Sequence, residues 1–428
     1  MSYPPALREI LVEPQKIDDL QIPQNLILDL ILRLLYNEGN VALSRMVQVI
    51  RVHSGIIDSL LLWMQKEHLV EVSQAGTGLG RLSYVYTLTE AGETRAKSAL
   101  ERSQYVGPAP VPVSQFSRAI EIQTRARIRV RPEQVKSSLR HLVLPQDFHR
   151  RIGPAVNSGN SLFLYGPPGN GKTTIAESIS KLIAGSDPIW LPYTLTAGGY
   201  IIQIYDRLIH VPPDNEEQLT TDIGRHDKRW GLFKRPSVMV GGELKMEALE
   251  LRYDPISKYY EAPLQMKASG GMFLIDDFGR QQISPSDLLN RWIVPLESKV
   301  DFLRLQSGQT IVVPFKQLIV FSTNLDPNEL VDDAFLRRIQ IKVEVGPPDE
   351  KRFYHIFNMV CKEMNIDFDR GAFAYLLQNW YMKNGRVMQA VHPRDILLTL
   401  QALCEYDNQP PKLSPKLLDE ACSIYFVD

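Results

Sequence analysis

The residues with the most defined chemistry are Gly166-Pro167-Pro168-Gly169-Asn170-Gly171-Lys172-Thr173, followed by Thr174. They match G-x-x-x-x-G-K-[ST] at every fixed position. The glycines let successive backbone N–H groups turn inward and cradle phosphate oxygens. Lys172 would reach the β- and γ-phosphates of ATP, and the Thr173 hydroxyl would bind Mg²⁺. A second group completes such a site. Asp276 and Asp277 end the apolar run Met272-Phe273-Leu274-Ile275. Asp276 is placed to hold magnesium, and Asp277 to polarise an attacking water. Asn324 ends the run Leu318 to Thr323 and could orient that water. Arg337 and Arg338 follow closely and could stabilise transition-state charge in a neighbouring subunit. Arg394, at the start of a helix opened by Pro393, could reach the phosphates from a lid.

These residues need strands and a helix to hold them. Ser161-Leu162-Phe163-Leu164-Tyr165 has the length and apolarity of a buried strand. Thr174 to Ile179 reads as the first turns of a helix, whose N-terminus adds a positive dipole end beneath the phosphates.

The chain has 428 residues, 44% of them hydrophobic, and a formal charge of -1. That is room for two or three domains, and the charge argues against a generic nucleic-acid or anionic-membrane binder. Cys361, Cys404 and Cys422 are too few and too scattered for a disulfide framework or a zinc site. Without a leader-like N-terminus or a bilayer-length apolar run, the expectation is a cytoplasmic protein with no membrane partner.

Residues 1–103 read as three helices and a two-stranded hairpin. Asn25 to Tyr36 is an amphipathic helix, Ser44 is the expected cap of a second, and Ser54-Gly55 opens a third. Strands follow at Leu69 to Val72 and Ser83 to Leu88, with the glycine-rich loop Gly76 to Gly80 between them. The arrangement resembles a winged helix-turn-helix domain. Its third helix would enter the major groove of DNA, but it offers Lys66 against Asp58 and Glu67 and no arginine. Its apolar surface suits a protein partner.

Residues 104–140 read as a Pro-rich linker, Gly107 to Val113, then a basic neck. The neck carries Arg118, Arg125, Arg127, Arg129, Arg131, Lys136 and Arg140, opposed by Glu121 and Glu133. It either contacts nucleic acid, or forms a solvated face or a neck against the acidic surface of a neighbouring subunit; no aromatic residues interleave for base stacking.

Taken in order, the motifs resemble the AAA+ ATPases. Walker A is Gly166 to Thr173, Walker B Phe273 to Asp277, sensor 1 Asn324, the arginine-finger segment Asp333 to Arg338, and sensor 2 Arg394. The resemblance implies an α/β core with a parallel sheet over 141–346, a helical lid over 347–428, Leu142 to Pro145 as an adenine-side wall, ATP and Mg²⁺ as cofactors, and a homo-oligomer, a hexameric ring by that analogy. "Asp-Asp-Ala-Phe-Leu-Arg-Arg-Ile" looks like the remodelling ATPases. The hairpin-like Val300 to Val313 looks like the MoxR and helix-2-insert side, so the clade is open. Walker B usually ends Asp-Glu; here Asp277 is one methylene shorter, which puts fast hydrolysis in question. Residues 189–265 exceed a minimal core and read as a β-insert, in which Tyr259-Tyr260 is either a pore grip or plain packing. Three functions fit: a remodeller of an unknown protein partner with the winged helix as adaptor, a DNA-binding ATPase or transcription regulator, and a slow-turnover assembly scaffold.

Overall fold

Five buried runs form one parallel sheet in the computed structural model, which describes residues 3–74, 80–125, 128–221, 224–330 and 336–427, the side chains of 328 and 329 aside. The expected loop at 76–79, Arg127 and the segment 333–335 lie outside the described residues. From edge to edge the strands are Ser237–Val240, Met272–Ile275, Leu318–Thr323, Ser161–Tyr165 and Ile341–Glu344. The three central strands are apolar on both faces because both are covered, as a parallel sheet requires, while the edge strands alternate and are half-exposed. Phe163, Phe273, Ile275 and Phe321 face the helix Pro285–Ser298 with its buried Trp292. Leu162, Leu164, Leu274 and Val320 face Ile175, Ile179 and Ile183 of the helix Lys172–Ala184. Each such side chain, fully buried, stabilises the core by about 1.5–3 kcal/mol. The decisive feature is the order. Leu318–Thr323 lies between the strands that end in Gly166 and in Asp276, so Asn324 emerges between them.

Near the N-terminus, helices Gln24–Glu38, Leu43–Ile50 and Ser54–Lys66 pack on an antiparallel sheet ordered Val41–Ala42, Val85–Leu88, Val70–Gln74. Ser44 does not cap its helix, which begins one residue earlier with Ala42 at the cap position and no side-chain cap. The third helix is capped by His53, whose Nδ1 accepts from the Gly55 N–H at 3.1 Å. No single described helix is long and apolar enough to cross a membrane. Leu43–Ile50 and Ser54–Lys66, bent by 120°, are apolar together because they fill this core.

The Pro-rich segment is docked rather than solvated. Val111–Pro112 pairs with Thr194–Ala197 at the edge of a five-stranded sheet that continues through Tyr200–Gln203, Tyr259–Glu261 and Arg252–Asp254. The Ala109 N–H donates to the Ile50 carbonyl at 2.7 Å, and Thr194 Oγ1 donates to the Pro108 carbonyl at 2.9 Å. Arg229, 1% exposed, is held by Asp227 and donates to the carbonyls of Leu20 at 3.3 Å and Pro110 at 3.1 Å. The N-terminal helices, the strap and the insert are thus tied together through one buried guanidinium.

The insert has its own core. Trp190 and Trp230 pack with Leu7 and Leu11 of the first helix, Pro5–Leu11, and with Phe116 and Ile120 of Val113–Arg125. Leu303, Ile311 and Val313 join them from the hairpin Val300–Arg304/Thr310–Pro314. This packing removes Tyr259-Tyr260 as a pore grip. Tyr260 is buried with its hydroxyl accepting from the Gln306 N–H, and Tyr259 packs edge-on against Tyr105.

The last segment is helical: Glu350–Glu363, Arg370–Leu376, His392–Tyr406 and Pro415–Tyr425 surround Phe353, Phe357, Leu397 and Leu400. Asp349 caps the first and Ser414 the last. All three cysteines are buried and free, and burial pushes the Cys361 and Cys422 thiols up to about 12, so they are not nucleophiles.

Candidate nucleotide site

The glycine positions decide the local fold of residues 166–171. Gly166, Gly169 and Gly171 have φ of 135°, 72° and 85°, a region where a Cβ is strained. A Cβ at Gly166 would also lie 2.6 Å from the Val345 carbonyl oxygen. Lys172 opens the following helix. Its ammonium donates to the carbonyls of Gly166 at 2.8 Å and Pro167 at 2.9 Å. Burial lowers its pKa from the ordinary lysine value, while Asp276 and Asp277 oppose that shift.

Thr173 Oγ1 donates to Asp276 Oδ2 at 2.8 Å, so the hydroxyl and carboxylate expected to share a cation are already side by side. Magnesium takes one or two carboxylates plus substrate phosphates rather than a protein cage, and this donor pair fits it. Next to them, Asn324 Nδ2 donates to Asp277 Oδ1 at 3.1 Å. Asp277 has a left-handed φ of 48°. Such a backbone costs roughly 1–2 kcal/mol and needs a surrounding that holds it. Gln281 provides this. Its Nε2 donates to the carbonyls of Asp276 at 2.8 Å and Asp277 at 3.1 Å, while the Phe278 N–H binds the Ser322 carbonyl at 2.7 Å.

Beside the glycine loop lies a cavity of about 230 Å³. Val143, Leu144 and Pro145 wall one side, Gly346, Pro347 and Pro348 another, and Asn170 and Ala390 close it. Phe148 and Ile356 add apolar surface, and Arg151, Glu344 and Arg352 add charge, so a slot of this kind next to a phosphate cradle offers a purine both a packing wall and polar partners.

Comparison with known proteins adds little. Residues 349–424, the helical segment, match a family described as a domain of unknown function, DUF8689. No curated protein matches. Among solved structures the chain is similar to mutants of RuvB from Thermotoga maritima. One is 12% identical with 71% of this chain and 74% of that chain covered; another is 14% identical with 69% and 70% covered. Their TM-score is 0.36 in both cases. Scores at this level leave the fold and site to rest on the chain's own geometry.

That geometry brings together Gly166 to Thr174, Asp276, Asp277 and Asn324. It does not bring Arg337 and Arg338 to them. Ser161 Oγ donates to the Arg338 carbonyl, at the start of the strand that ends before Gly166. Five residues at about 3.3 Å each put the pair roughly 16 Å from the glycine loop, at the opposite end of the sheet. The two arginines also differ. Arg338 is paired with Glu297 of its own chain at 2.6 Å, whereas Arg337 is exposed. Arg394 lies in the first turn of His392–Tyr406 with an exposed side chain.

Sequence reasoning missed Gln281 and read Asn170 only as a member of the phosphate loop. Gln281 holds the Asp276-Asp277 turn, and nothing in its spacing marks it. Asn170 joins the glycine loop to the helical segment: its Nδ2 donates to the carbonyls of Pro167 and Pro168, and its Oδ1 accepts from the Ala390 N–H at 3.2 Å. The Val391 N–H donates to the Gly169 carbonyl at 2.9 Å alongside. A polar side chain inside the fixed G-x-x-x-x-G frame was the available signal.

Proposed function

We propose that this chain is an ATP-binding and ATP-hydrolysing AAA+ protein that works as an oligomeric ring in the cytoplasm. The observation that carries the reading is the convergence of Lys172, the Thr173–Asp276 pair and the Asp277–Asn324 pair on adjacent strand ends. Backbone N–H groups of the glycine loop and the start of Lys172–Ala184 would bind the phosphates. Lys172 would leave the Gly166 and Pro167 carbonyls for the β- and γ-phosphates. Thr173 and Asp276 would hold Mg²⁺, which neutralises charge on the phosphate oxygens. Asp277 would accept the proton of the attacking water, and Asn324 would orient both. The left-handed backbone at Asp277 re-aims the short carboxylate toward Asn324, which supports turnover despite the missing methylene.

Arg337 is the arginine available to complete a neighbour's site, since Arg338 is engaged with Glu297. The cargo is a protein partner, with the N-terminal winged-helix-like module as adaptor. The third helix supports this: its exposed positions include Leu62 and Trp63, and a duplex-reading helix would offer polar side chains there. The test is turnover. Phosphate release from ATP with Mg²⁺ should be abolished in Lys172→Ala and in Asp276→Ala. Unchanged ATP affinity of Lys172→Ala by calorimetry would sink the assignment.

A further inference from the structure

At the opposite end of the sheet from the glycine loop, two cavities adjoin, of about 1110 Å³ and 230 Å³, sharing Ile128 and Arg235. Arg125, Arg129, Lys181 and Arg235 line the larger, and Arg235, Lys299 and Lys316 the smaller. The only carboxylates among the described lining residues are Glu133 and Asp187. Among the described residues none of these cations forms an ion pair. Arg235 instead donates to the carbonyls of Asp187 at 2.9 Å and Gly270 at 2.5 Å. Lys299 and Lys316 are close enough to repel, and burial together with Lys316 lowers the Lys299 pKa. In a chain with a net charge of -1, gathering cations with no carboxylate paired to them costs free energy. An anion of repeated charge would offset that cost.

We propose that this tract binds a phosphate chain, read through its charge and not through bases. The larger cavity exceeds the usual 300–1,000 Å³ range of a small-molecule pocket, and its described lining contains no aromatic residue on which a base could stack; Phe315, which lines the smaller, is buried edge-on against Trp292. The chemistry therefore fits a flexible polyanion, which single-stranded nucleic acid or free inorganic polyphosphate would supply. The tract lies on the basic neck and on the last turn of the helix Lys172–Ala184, a helix length away from the ATP site and sharing no residue with it.

The test uses the full chain with a labelled oligothymidylate and, separately, inorganic polyphosphate, both with saturating Mg–ADP. Binding should weaken with salt at a log–log slope of about -0.7 per phosphate contact. The exposed double variant Arg129→Glu/Lys181→Glu should lose at least about tenfold in affinity and flatten the slope by roughly 1.4. A control reversal at exposed Lys351 and Lys383 should change affinity less than about twofold. Binding of polyphosphate alone supports a free polyanion as occupant, and binding of the oligonucleotide alone supports nucleic acid. Binding of neither overturns the proposal. So does equal loss in the control, which would make the effect one of net charge. Loss in Lys172→Ala would move the site to the glycine loop and overturn it as well.

Discussion

At Asp277 a carboxylate, a strained backbone and an amide meet. Asn324 touches its side chain, and Gln281 holds its carbonyl. Asp277→Asn preserves that shape but removes the proton acceptor. ATP affinity should stay within a few-fold, while the turnover number should fall by roughly 10²–10⁴, as for loss of a general base. Single-turnover measurement with bound ATP separates the two. Lys172→Ala should do the opposite, abolishing nucleotide binding in calorimetry and leaving the circular dichroism spectrum unchanged. These residues were legible in the sequence because their constraints are local. Three glycines at fixed spacing force one backbone shape, and apolar runs ending in Asp276 and Asn324 announce strand ends. Arg338 was not legible as an internal ion pair, because Arg338 sits in a turn, Glu297 lies far back on the helix Pro285–Ser298, and nothing local joins them.

Between elements, the reading failed where partners are distant. Proline and glycine at 107–113 signal extended chain, and the chain there is extended. Its pairing with Thr194–Ala197 could not be read from composition, because a parallel edge strand has no local signature. The same contact makes Arg229 structural. Arg229→Met should destabilise the fold by about 3–5 kcal/mol, the usual cost of leaving a buried partner, here Asp227, uncompensated. A denaturant titration would show it, and a shift under about 1 kcal/mol would mean that the buried pair does not tie the modules. His210 makes the insert acid-sensitive. Its Nδ1 accepts from the Asp206 N–H at 2.9 Å and its Nε2 faces the Lys267 carbonyl at 3.0 Å, so the neutral ring is the one that fits. Burial, the largest cause, brings its pKa to about 4 from the ordinary 6.5. The unfolded chain therefore binds the proton first. This contribution to stability is full above pH 6.5 and is lost as the pH falls toward 4. Thermal melts across that range should show a steeper decline for the native chain than for His210→Gln.

For the whole molecule the open end is Arg337. The arginine pair sits at the far end of the sheet from its own glycine loop, so it can serve ATP only on another copy. An arginine supplied in trans is worth about 10³–10⁵ in turnover. Arg337→Ala should keep ATP binding and lose hydrolysis, whereas Arg338→Ala should mainly weaken the Glu297 contact. Mixing Arg337→Ala with Lys172→Ala should restore part of the activity, since some interfaces then hold an intact pair. A monomer at micromolar concentration whose rate per chain is independent of concentration would rule this out.

The docking of the first helix onto Trp190 and Trp230 also sets a timetable. Leu7 and Leu11 meet Phe116 and Ile120 about 110 residues later in synthesis, but Trp190 and Trp230 follow only about 180–220 residues after them. At about 5–20 residues per second, that is on the order of ten to forty seconds during which this apolar helix face lacks its tryptophan partners. The nascent chain must be shielded throughout that interval, so the yield of folded protein should depend on translation speed and on holding chaperones more than its equilibrium stability would suggest.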